Sequence, residues 1–131
     1  MKKVITESLR KALLENTDNE PDLIEEFIIM CCVDLGIRGK VKVHLENTKE
    51  NIETTAAFNI ETNDIYIYVK GRHIVDIIRS IGHELEHLSQ KLNGELKPNS
   101  GEDGSPEEND ANTFSGIMVR KFGKKYPEIY E

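Results

Sequence analysis

A chain of 131 residues has room for one domain. Its 37% hydrophobic content allows a core without surplus apolar surface. A net charge of −7 would be repelled by a phosphate backbone, which argues against nucleic acid as the main partner. No apolar run reaches the roughly 18–20 residues that a membrane-spanning helix needs. Residues 1–15 have neither the continuous apolar stretch nor the small-residue cleavage site of an export signal. The expectation is a soluble, cytoplasmic chain with no membrane partner.

Residues 2–15 read as an amphipathic helix, with Ile5, Leu9 and Leu13 at helical intervals. A second helix starts near Pro21, carries Leu23, Phe27, Ile28, Cys31 and Leu35, and stops at Gly36. Cys31 and Cys32 are neighbours, a spacing that rarely closes an unstrained bridge, so both read as small apolar side chains in a reducing compartment. Residues 40–46 alternate apolar and polar as a half-buried strand does. Residues 54–61 and 65–69 read as two more strands, joined through the turn residues Thr62, Asn63 and Asp64.

From residue 72 to 92 the period changes, and Ile74, Ile77, Ile78, Ile81, Leu85 and Leu88 form one helical stripe. Residues 93–104 are polar and glycine-containing and read as a mobile loop. Ser105 then suits an N-cap and Pro106 a first turn, opening a last helix that buries Ala111, Phe114, Met118 and Phe122. The order predicts an α+β domain. A helical pair over 1–36 and two long helices over 72–122 would flank a small, mostly antiparallel three-stranded sheet over 40–70.

The penultimate helix carries His83-Glu84-Leu85-Glu86-His87. Histidines four apart project from one helix face and can bind one zinc ion, and the adjacent Glu84 can serve as general base. At about 100° per residue, both lie roughly 150° from the centre of the apolar stripe, so core and imidazoles face opposite ways. Two surface histidines on an amphipathic helix would look the same, so context has to decide.

A catalytic zinc needs a third protein ligand. In one protease class it is a histidine six residues after the second, preceded by glycine at plus three. Here those positions hold Asn93 and Gln90, which excludes that class. His44, on a strand, and His73, at a helix start, are poorly placed. Glu108 on the last helix is better placed, with Asn112 one turn later available to support a ligand. Ser105 and Glu108 also fit a capping box, which would instead occupy Glu108 with a backbone amide. Glu107 and Asp110 are acidic residues near a helix N-terminus, where the dipole favours them.

His83-Glu84-x-x-His87 followed by Glu108-x-Asp110-Ala111-Asn112-x-Phe114 resembles the ImmA/IrrE-type zinc metallopeptidases, over about the last 75 residues. Small stand-alone versions encoded by tailed phages carry a segment like Asp76-Ile77-Ile78-Arg79 before the motif. The resemblance implies a zincin-like, gluzincin-type fold. It also implies Zn²⁺ held by His83, His87 and Glu108, with Glu84 as catalytic base. It further implies a protein or peptide substrate and, for a phage protein, the host cytoplasm.

Some positions depart from the family pattern. Glu86 stands where glycine is common, a change expected to reshape the cleft near the metal, and Ser115 replaces the usual alanine. The common Leu-Met-Pro ending is replaced by Val119-Arg120, and no helix-turn-helix segment precedes the motif. Tyr126 and Tyr130 are available as oxyanion donors, but no pattern places either in the cleft. The expected activity is peptide-bond hydrolysis. The competing readings are a zinc-stabilised binding module and a metal-free acidic protein.

Overall fold

The computed structural model describes residues 2–5, 22–50, 52, 54–98, 100 and 102–131. Among these, the first helix is α1 (Leu23–Leu35). Asp22 caps its start by accepting from the amides of Ile24 at 3.0 Å and Glu25 at 3.3 Å. Gly36, at φ 70°, ends it in the left-handed conformation that glycine adopts without strain. Cys31 and Cys32 are both buried, as expected of apolar helix positions.

Strands β2 (Lys42–Glu46), β3 (Ala56–Phe58) and β4 (Asp64–Tyr68) form a mixed three-stranded sheet. The hairpin between β3 and β4 is antiparallel, with Asn63 at φ 65° in its turn. The pairing of β2 with β4 is parallel, against the expectation of a mostly antiparallel sheet. The reason is the long 47–55 connection. It carries the chain past the position beside β2, so β3 lands on the far edge and β4 returns between them.

Lys2–Ile5 is a further strand, β1, antiparallel to β2, which gives the order β1-β2-β4-β3. This corrects the expected helix over 2–15 at Lys2–Ile5, the part of it that is described. A segment with β-branched Val4 and Ile5 beside an open strand edge gains ladder hydrogen bonds that outweigh helical spacing. Residues 6–21 lie outside the described residues.

Val43 and Leu45 of β2 and Ile65 and Ile67 of β4 turn one sheet face into the core. Against them pack Ile77, Ile78, Ile81, Leu85 and Leu88 of α2 (Ile74–Leu92). Phe27 of α1 and Phe122 of α3 (Pro106–Lys125) meet edge to face at 5.4 Å between centroids, closing the core behind α2. Gly82 of α2 faces Ser115 of α3, where an added Cβ would come into contact with Ser115 Cα at 3.4 Å. Ser115 is buried and donates to the Arg79 carbonyl at 2.6 Å, tying the two helices together.

Lys91 in the last turn of α2 donates to the Ile60 carbonyl and the Asn63 side chain, holding the hairpin tip beside the helix. A short 3₁₀ turn, Pro127–Tyr130, closes the described chain. Among the described residues no helix is long and apolar enough to cross a membrane.

Candidate metal centre

The stripe of α2 that faces the sheet leaves the opposite stripe to form the floor of a cleft of about 800 Å³. β3 borders the cleft on one side and the first turns of α3 on another. His83, Glu84 and His87 rise from the floor, and Glu108 and Asn112 enter from α3.

Ser105 caps α3, accepting from the Glu108 amide at 3.1 Å. Only half of the possible capping box forms. The Glu108 carboxylate leaves the helix end and reaches α2, where Oε1 lies 2.8 Å from His83 Nε2 and Oε2 lies 2.9 Å from His87 Nε2. The two Nε2 atoms are 3.2 Å apart. One donor atom from each of the three residues falls within a 4.8 Å cluster, a set that could hold a metal ion.

A neighbour that the sequence did not single out orients this cluster. Gln90 is buried, and its Nε2 donates to the Glu107 carbonyl at 2.8 Å. Its Oε1 is thereby left to accept from His87 Nδ1 at 2.8 Å. With Nδ1 carrying the proton, a neutral His87 turns the lone pair of Nε2 into the cluster. The only sequence signal for this role was the three-residue spacing from His87, which many surface pairs share.

Asn112 lines the same cleft, one turn of α3 after Glu108. Burial, with the His87 ring adding to it, holds His83 below the ordinary imidazole range, although Glu108 and Asn112 pull the other way. The shift favours the neutral imidazole, the form that ligates metals. Glu84 is 8% exposed. Burial pushes its carboxyl up to about 7, with His87 opposing the shift and Glu108 adding to it.

The remaining expectations separate clearly. Glu107 and Asp110 do not line the cleft. Neither does Glu86, so the departure there does not reshape the cleft wall. Its half-buried carboxyl is raised by burial and by the charges of Asp110 and Glu95. His44 pairs with Asp64 at 2.8 Å and stacks on Tyr66, while His73 caps α2 by accepting from the Val75 amide at 3.1 Å. Tyr126 and Tyr130 lie outside the cleft. Burial and a hydrogen bond to Glu26 push the Tyr126 phenol up to about 12, and the Tyr130 ring covers Gly123.

Comparison with family models, curated proteins and solved structures gave no match for this chain.

Proposed function

We propose that this chain is a zinc-dependent metallopeptidase with a zincin-like site, resembling the ImmA/IrrE type, and that it hydrolyses peptide bonds in a protein substrate. One observation carries the reading. A carboxylate from α3 closes on two imidazoles of α2, and a buried glutamate opens into the same cleft beside them.

The donor set suits zinc. Bonds of 2.0–2.2 Å at tetrahedral angles separate ligand atoms by roughly 3.3–3.6 Å, and one donor atom from each of the three residues lies within 4.8 Å of the others, so small side-chain shifts would close the set on an ion. Two nitrogens and one oxygen leave a fourth position for water or substrate, as catalytic sites require. When bound, zinc acidifies water and polarises a carbonyl oxygen.

The chain's own residues supply the rest. Glu84 takes the proton of the attacking water and delivers it to the leaving amine, and its raised affinity for protons suits it to both steps. β3 is an edge strand along the cleft, so an extended peptide can add to it by main-chain hydrogen bonds. Gln90 holds His87 in the ligating orientation, and Asn112 in the same cleft is placed to support His83.

The direct test is hydrolysis of an unfolded protein by the purified chain. Activity should vanish with a chelator and return with one equivalent of zinc. Full activity in metal-free protein would remove zinc from the reading.

Gln90→Leu and Asn112→Ala should each weaken zinc binding by about 10–100-fold, the usual cost of losing a ligand's support. Gln90→Leu should be the larger effect, because it strands His87 Nδ1 and the Glu107 carbonyl in a buried place. Unchanged affinity in a chelator competition would reduce either residue to a packing role.

A further inference from the structure

We propose that Arg79 reads a carboxylate on the substrate within about two residues of the scissile bond, which makes acidic peptides the preferred class. This rests on the metallopeptidase reading and extends it to substrate choice. Arg79 is exposed and lines the cleft one helical turn before His83. Four residues of helix place it about 6 Å from His83 along the axis, and an extended peptide advances about 3.3 Å per residue.

Its backbone is fixed, since its carbonyl accepts from buried Ser115, but its guanidinium makes no hydrogen bond or ion pair among the described residues. Arg72, the other arginine of the cleft, is already used. It donates to the Tyr68 carbonyl at 2.8 Å, the Asp76 carbonyl at 3.0 Å and Ser80 Oγ at 2.8 Å. Lys97 also faces the cleft, but from a loop rather than a helix.

Glu84 does not cancel the Arg79 charge. At 100° per residue, Arg79 lies about 40° to one side of His83 and Glu84 about 100° to the other. Asp76 lies a turn further from the metal ligands and forms no ion pair with Arg79. A protein of net charge −7 thus keeps beside its candidate metal ligands a cation that no described residue pairs. An exposed guanidinium that no described residue holds in place is poorly suited to hold an oxyanion, which needs a donor fixed in advance. It is well suited to a charged group on the substrate, and its planar fork matches a carboxylate.

The carboxylate can be an Asp or Glu side chain or the end of the peptide. The test uses zinc-loaded Glu84→Gln protein, which should bind without cutting. Its ligands are fluorescein-labelled decapeptide pools, randomised except for one fixed Glu or Gln, each with a free or an amidated C-terminus. Fluorescence anisotropy should show the Glu pool binding tighter than the Gln pool at one position by about fivefold at low salt, the upper range for an exposed charge pair. The difference should shrink towards none near 1 M salt, where screening acts over about 3 Å.

Adding Arg79→Gln should erase the preference, and Arg79→Glu should transfer it to pools with a fixed Lys. If amidation alone removes the effect, the recognised group is the chain terminus. Equal binding of all pools, or a preference that survives Arg79→Gln, overturns the assignment. A preference in binding alongside a wild-type protein that cuts none of the pools would sink the hydrolase reading and leave Arg79 in its role. Cutting without acidic preference would do the reverse.

Discussion

Glu84→Gln should lower peptide hydrolysis by about 10²–10⁴-fold while leaving the zinc content near the wild-type value. The carboxamide matches the carboxylate in size and keeps helix propensity, and none of the three proposed ligands changes. What it loses is the ability to accept the water's proton at neutral pH. Glu84 is buried with its carboxyl raised towards neutrality, so removing its charge should not destabilise the fold. Zinc content, melting temperature and turnover of one unfolded protein substrate, compared between the two proteins, check this. Wild-type turnover by the Gln variant would exclude Glu84 as the base. Equal binding of a partner by both proteins, with cleavage by neither, would favour a zinc-stabilised binding module.

Glu108→Ala should abolish stoichiometric zinc binding, a larger loss than the change at Gln90 or Asn112. Among the described residues Glu108 provides the carboxylate that meets both Nε2 atoms, and removing it leaves two imidazoles as the proposed ligands. His83→Ala and His87→Ala should behave alike. A second readout is the stabilisation that zinc confers. A ligand at 100 times its Kd adds about 2.7 kcal/mol to folding, and the resulting rise in melting temperature should disappear with the site. Elemental analysis and a thermal scan with and without zinc would establish this. Full zinc retention by the Ala variant would move the third ligand to Glu107 or Asp110, which the fold places outside the cleft.

Features governed by local periodicity were legible in the residues. The apolar stripe of α2 recurs at helical spacing, so it could be seen without the fold, and its opposite face had to carry His83 and His87. Ser105 and Pro106 marked the start of α3 by capping chemistry that acts within one turn. The same local logic left Glu108 with two destinies, its own helix end or the neighbouring helix.

That choice depended on distance between elements. α3 packs on α2, with Ser115 donating to the Arg79 carbonyl, so the Glu108 carboxylate lies within 2.9 Å of both imidazoles instead of closing on its own helix end. The orienting role of Gln90 likewise requires the Glu107 carbonyl from α3. Strand pairing was also beyond local pattern. Alternation in residues 40–46 identified a strand but not its neighbour, because parallel and antiparallel partners bury the same face. β1 shows the limit most plainly. Ile5, Leu9 and Leu13 are spaced as in a helix, yet Lys2–Ile5 lies along β2, where an unfilled edge offers hydrogen bonds that periodicity does not reveal.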